Sequence, residues 1–354
     1  MSLAQVKQEG FRLDLDDGVA TITLDRPDRI NALTFASYAA LRDAFRIFGE
    51  TREVRSVVLQ GEGPRGFCSG GDVRDIIAEL FSRDMRGLLE FTRMTGALVA
   101  AIHQCRAPVV AALHGVVCGA GAVIAIASDV RIAAPDARIA FLFPKVGLSG
   151  ADMGAAWLLP RLIGYGRASE LLLTGEFVDA ERAERIGLFN RIVPAGELRA
   201  QAHAFAKTIA DGPAFAHAMT KKMLDYEAHV DFATGIEAEA QAQAICMQHP
   251  DFREAHDAFV QKRPPSIRTI ATSALPGSGS CSSIATASAA RSTTCARWRS
   301  AWRASGSGTP RRWWSSRSRC RGSAATRSPR AGPTRSRASG SRGSPRARRW
   351  PRSR

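Results

Sequence analysis

HGVVCGAGAVIAIASDVRIA, residues 114–133, follows the compact apolar run VVAAL at residues 109–113 and places small residues where a strand turns into a helix. A segment of the same kind lies upstream: GFCSGGDV, residues 66–73, sits behind the apolar run SVVLQ of residues 56–60. In each, small residues open a helix, so the first backbone N–H groups lack intrahelical acceptors and can face an anion or a developing oxyanion. A close-packed strand-to-helix corner also demands small residues, so neither turn alone carries function. Neither has the GxGxxG or GxxxxGK[ST] spacing, which disfavours nucleotide phosphate binding by those routes. Two such turns facing each other would make an oxyanion hole.

Working outward, GVATITLD at residues 18–25 alternates small or apolar residues with Thr and ends at Arg-Pro-Asp, the pattern of a half-exposed strand. A helical pattern spans residues 36–48, followed by the strand at 56–60, helices at 73–81 and 88–104, and the strand at 109–113. Strands separated by helices in this order predict an α/β domain with a buried, largely parallel sheet. Beyond Arg167 the pattern is helical, including a long stretch at residues 231–245, which predicts a helical C-terminal region. No repeat of fixed period is present.

Charge divides the 354-residue chain. Of its 49 Lys and Arg, 20 are arginines in residues 265–354, a stretch without Lys, Asp or Glu; the remainder holds 29 basic against 33 acidic residues, a net charge of −4. Residues 265–354 hold five of the six Trp and few aliphatic side chains, a composition that predicts disorder. Arg and Trp can pair phosphates and stack on bases, but the vocabulary of Arg, Ser, Ala, Gly, Pro and Trp also fits a frame-shifted translation of GC-rich coding sequence, the favoured reading. The basic balance is thus no reason to expect a nucleic-acid partner. The four cysteines before residue 265 (Cys68, Cys105, Cys118, Cys246) lack CxxC spacing, against a disulfide framework or a zinc site. The N-terminal MSLAQVKQEG has no apolar core of signal-peptide length and no apolar run reaches membrane-span length, so a soluble cytoplasmic protein without a membrane partner is expected.

Taken together, RPDRINAL, GFCSGGDV, HGVVCGAGA with ASDVRIA after it, LLLTGEFVDAERAERIGLFNRIVP and DFREAHDAFVQKRPP resemble the enoyl-CoA hydratase/isomerase, or crotonase, superfamily over residues 18–264. The resemblance implies a repeated ββα core over residues 1–195, a C-terminal helical trimerisation region over 196–264, and a homotrimer or hexamer. It implies an acyl-CoA thioester substrate, with coenzyme A part of that substrate and no other cofactor or metal. It further implies that backbone N–H groups at Ser69 and Ala120 stabilise a thioester enolate, an effect worth roughly 3 to 4 kcal/mol per donor. Asp72 matches an acidic residue read as structural. Phe259 and Lys262 match positions that hold the CoA nucleotide of a neighbouring subunit, although a Lys on a helix is commonly only a solvated charge.

The departures are informative. Where the hydratases carry their two glutamates, this chain has Val123 and Phe143, neither able to transfer a proton, which removes the usual hydratase mechanism. Asp152 lies about where isomerases and a dehalogenase of the superfamily place a catalytic aspartate, in a loop one residue longer than theirs. It can act as general base or nucleophile, or cap a helix predicted over residues 153–159. Glu90 and Arg93 can face the same cavity or form a surface pair. Cys118 and His114 read as a small buried residue and a strand-end residue. Phe91, Phe141, Phe143 and Trp157 suggest a pocket for a bulky or aromatic acyl group. Two functions remain open: an acyl-CoA hydro-lyase or isomerase using Asp152, and a non-catalytic acyl-CoA-binding or scaffold member.

Overall fold

The computed structural model describes residues 3–267. The predictions for the arginine-rich segment lie outside the described residues, except at its first three positions. The chain opens with a hairpin of β1 (Phe11–Asp16) and β2 (Val19–Leu24), joined by Asp17 and Gly18, both at positive φ. That two-residue Asp-Gly connection has the twist that antiparallel hairpins favour. The alternation of Phe11, Leu13 and Leu15 with charged residues makes β1 a half-exposed edge strand, which the reading of the sequence above did not include.

Next come α1 (Phe35–Glu50), β3 (Ser56–Gly61), a π-helical turn at Val73–Ile77 with the one-turn α2 (Ala78–Leu80), and α3 (Met85–His103). After them follow β4 (Val109–Leu113), β5 (Val116–Cys118), α4 (Ala120–Ala127), β6 (Val130–Ala133) and β7 (Arg138–Ala140). The regular helix expected over residues 73–81 is replaced by the wider turn, in which Ala78 N–H donates to Val73 O. Then come α5 (Ala155–Ile163), α6 (Tyr165–Thr174), β8 (Val178–Asp179), α7 (Ala180–Arg185) and β9 (Arg191–Ile192). The helices α8 (Leu198–Asp211), α9 (Ala214–Glu227), α10 (Phe232–Gln248) and α11 (Pro250–Val260) complete it.

The main sheet has the order β1-β2-β3-β4-β6-β9 and is parallel except at the β1–β2 pair. Strands β3 and β4 read as continuous apolar runs because both of their faces are covered. Val57, Leu59, Val109, Ala111 and Leu113 join one core with α1, α3 and α4. Val58, Val110 and Ala112 join another with Ala202, Ala206 and Ala210 of α8. The spacing of four between those alanines gives α8 a small-residue stripe that lets it lie close on the sheet. Ser56 Oγ donates to Ala206 O at 2.8 Å across this contact, and Arg55 Nε donates to Ala210 O at 2.5 Å near the helix end.

A second, three-stranded sheet, β5-β7-β8, stands beside the first and carries the second small-residue turn. Among the described residues no helix is long and apolar enough to cross a membrane.

Candidate active site

The two small-residue turns lie side by side. Residues 66–68 run along β5 as an added strand: Phe67 N–H donates to His114 O, Cys68 N–H to Val116 O, and Cys118 N–H to Cys68 O at 2.8 Å. Gly121, in the first turn of α4, explains the small residues: a Cβ there would come within 2.6 Å of Cys68 Cβ and Cys68 O. A Cβ added at Gly70, whose φ is +104°, would stand 3.4 Å from Ala120 N. Close approach of the two loops therefore dictates glycine at both positions.

The loop before α1 fastens the first turn from behind. Buried Asn31 donates through Nδ2 to the carbonyls of Glu62, Gly66 and Phe67, while its Oδ1 accepts from Arg26 N–H. Ser69, expected as the first oxyanion donor, is held by the same loop: its N–H donates to Ile30 O at 2.9 Å and its Oγ to Arg29 O. This corrects the expectation at Ser69, because an amide already committed at that distance has no proton to offer a ligand. Two residues on, Gly71 N–H has no acceptor among the described residues; its neighbours Gly70 and Asp72 are the ones that pair with Leu33. Ala120 stands at the first position of α4, and its N–H is also without an acceptor among the described residues. Spacing alone identified the loop but could not choose between its amides.

Asp72 has the structural role expected of it. Its Oδ1 accepts the N–H groups of Arg74 and Asp75, and its Oδ2 pairs with Arg26 at 3.1 Å. Burial alone would raise its pKa, but those two amides and the Arg26 guanidinium outweigh it and leave the carboxyl below the ordinary value.

Asp152 does not cap a helix. The helix expected from residue 153 starts at Ala155, because Met153 and Gly154 both adopt positive φ, and its cap is Gly154 with no side-chain bond. Asp152 Oδ1 accepts only the adjacent Met153 N–H, at 2.9 Å, which leaves Oδ2 without a partner among the described residues. Burial raises its pKa, only partly offset by the Met153 amide. Val123 is fully buried in α4 and Phe143 nearly so, at the start of a 3₁₀ turn.

Other candidates resolve into packing. Glu90 accepts from Arg86 Nε on the exposed face of α3, and Arg93 is exposed as well. His114 Nε2 lies 2.7 Å from Gly63 O, a loop tie. Burial pushes the Cys118 thiol up to about 12, so it is no thiolate nucleophile near neutral pH. Trp157 is stacked on His229, edge-on to His103 and under Arg161, which joins α5 to the end of α3 and to the turn after α9. Phe141 is buried in the core, whereas Phe91 meets Phe35 and Tyr38 edge-on between α1 and α3. Phe259 and Lys262 are exposed at the end of α11, Lys262 with φ of 54°.

Tyr38 is the residue that the sequence did not single out. It is 2% exposed, and its hydroxyl lies 3.6 Å from where a Cβ on Gly71 would stand. Burial holds its phenol well above its ordinary pKa, and the nearby Cys68 and Asp152 raise it further, so it stays a hydrogen-bond donor. Its position on the inward face of α1, in register with Leu41, Phe45 and Phe48, was the available signal: a polar tip on an apolar stripe.

A largely parallel sheet flanked by helices, with two glycine-bearing turns apposed beside it, defines a crotonase-fold protein. Residues 14–269 match the family model described as enoyl-CoA hydratase/isomerase, and the chain belongs to that family. Relatives include the 1,2-epoxyphenylacetyl-CoA isomerase of Escherichia coli K12, 32% identical over 72% of this chain and 96% of that one. The short-chain-enoyl-CoA hydratase of Clostridium acetobutylicum is 31% identical over 71% of this chain and 94% of that one. Among solved structures, the enoyl-CoA hydratase of Mycobacterium smegmatis superposes with a TM-score of 0.69 at 34% identity, over 74% of this chain and 100% of that one.

Proposed function

We propose that the protein binds an acyl-CoA thioester, polarises its carbonyl with the main-chain N–H groups of Gly71 and Ala120, and moves a proton on the resulting enolate with Asp152. The observation that carries this reading is Asp152 itself: a part-buried carboxyl of raised pKa, freed from capping, with a single backbone hydrogen bond. A carboxyl so placed keeps its proton to higher pH than an exposed one and can take up and return a proton. With Val123 and Phe143 at the positions where hydratases carry glutamates, one acid shuttling a proton suits isomerisation, or elimination from a bulky or aromatic acyl group, better than hydration by paired carboxylates. The similarity to an epoxyphenylacetyl-CoA isomerase supports that preference.

Incubation with a panel of aliphatic and aryl CoA thioesters, followed by mass spectrometry, is expected to yield an isomerised or dehydrated product from an aryl or cyclic member. Binding across the panel without any product would favour the scaffold reading instead. The chain is further proposed to form a homotrimer through its C-terminal helices, where Leu224, Phe232, Phe252 and Phe259 are all more than half exposed. Exposed apolar side chains at this density favour association. Sedimentation equilibrium is expected to give three times the chain mass, and a monomer would remove the proposal.

A further inference from the structure

Gly70 and Gly71 have no side chains to limit rotation, so the peptide that joins them has a wide conformational range and needs bonds to fix it. Leu33 supplies two: its N–H donates to Gly70 O at 2.8 Å, and its carbonyl accepts the Asp72 N–H at 2.9 Å. In a trans peptide the C=O and N–H point opposite ways, so the bond at Gly70 O turns the Gly71 N–H away from the Leu33 loop. Arg26, between β2 and α1, spans the same two segments. Its Nη1 donates to Ala32 O at 2.7 Å, one residue before Leu33, and its Nη2 pairs with Asp72 Oδ2 at 3.1 Å, one residue after Gly71, and lies 3.6 Å from Asp75. The Asp72 side chain is 5% exposed and that of Arg26 24%, so solvent screens their pairing little. The planar guanidinium holds the carbonyl and the carboxylate at once, a fork that a lysine ammonium does not offer.

We propose that Arg26 is a positioning residue: by joining the Ala32 carbonyl to the Asp72 carboxylate it locks the Leu33 loop onto the first turn and so fixes the direction of the Gly71 N–H. This rests on the reading that the Gly71 N–H meets the thioester carbonyl. Arg26 acts through protein contacts alone, and its effect on the reaction passes through the orientation of one peptide. An oxyanion donor stabilises charge only where it already points at the oxygen, so a peptide that can rotate loses that stabilisation even though its N–H is still present.

The test reads the carbonyl rather than turnover, so that it does not depend on Asp152: infrared difference spectra of phenylacetyl-CoA, labelled with carbon-13 at the thioester carbonyl, bound to the whole chain. In the wild-type protein the carbonyl stretch should fall below that of the unbound thioester, because hydrogen-bond donors weaken the C=O bond. Arg26→Met removes the fork and keeps an apolar stem. Asp72→Asn breaks the same pairing from the other side and keeps an Oδ1 for the Arg74 and Asp75 amides. Each should return the band more than half of the way to its unbound position. Amide exchange gives a readout without ligand: the Asp72 N–H, bonded to Leu33 O, should exchange about 10-fold faster in both variants. A merely structural role would lower the melting temperature and leave the band where it was. A shifted band that survives in the folded variants would overturn the proposal with the Gly71 reading intact, whereas an unshifted band in the wild-type protein would overturn that reading. Unchanged Asp72 exchange in the variants would overturn the proposal whether or not the probe binds.

Discussion

Replacing Asp152 by Asn is expected to lower turnover by about 10²- to 10⁴-fold while leaving thioester affinity within a few-fold, the range lost when a positioned acid-base group is removed. Asn keeps the shape of the side chain and an Oδ1 to accept the Met153 N–H, so the Met153–Gly154 turn should survive. The pH dependence gives a second readout. A base must be ionised, so wild-type activity should fall as pH drops through the Asp152 pKa, which burial places above the ordinary carboxylate value, and the residual activity of the variant should lack that limb. Stability should move the opposite way. A carboxyl whose folded pKa is raised favours its protonated form, so its stabilising contribution is complete below the unfolded pKa of about 3.9 and is lost as pH rises through the folded value. At neutral pH the Asn variant should therefore melt above the wild type, and the gap should close below about pH 4. A variant with normal turnover would remove Asp152 from the mechanism.

The fold and the candidate site were legible in the sequence only in outline. Strands β3 and β4 were legible because burial on both faces writes an unbroken apolar run, and the two small-residue turns because close approach excludes Cβ atoms, as Gly121 against Cys68 demonstrates. The edge strand β1 was missed although Asp17-Gly18 announces its hairpin, since one-sided exposure dilutes its apolar alternation. The choice between Ser69 and Gly71 was not available at all. It is made by the Ile30 carbonyl, delivered from nearly forty residues upstream by a loop in which Ile30 and Asn31 both adopt positive φ. Likewise the start of α5 depends on a left-handed Met153, a conformation that side-chain type does not advertise, and with it went the decision whether Asp152 caps the helix. Local composition specifies where chain segments pack; which polar group is left free depends on bonds made from elsewhere.

The Ala120 amide proton, without an acceptor among the described residues, can be removed without removing a helix. Ala120 is the first residue of α4, where an N–H has no intrahelical acceptor, so proline is tolerated there in a way that it is not two turns later. The preceding residue is Gly119, which has no Cβ to collide with the proline ring and already adopts φ of 53°. Ala120→Pro should therefore retain wild-type circular dichroism while turnover falls by about 10²- to 10³-fold, the loss associated with deleting one preorganised oxyanion donor. Ala120→Ser keeps the amide in a small side-chain context and should retain turnover within a few-fold. The comparison separates the main-chain proton from crowding, because both variants add atoms at the same residue and only one deletes the donor. A folded Ala120→Pro protein with wild-type turnover would show that no thioester carbonyl meets this amide, and the enolate would then need another source of stabilisation than the turn before α4.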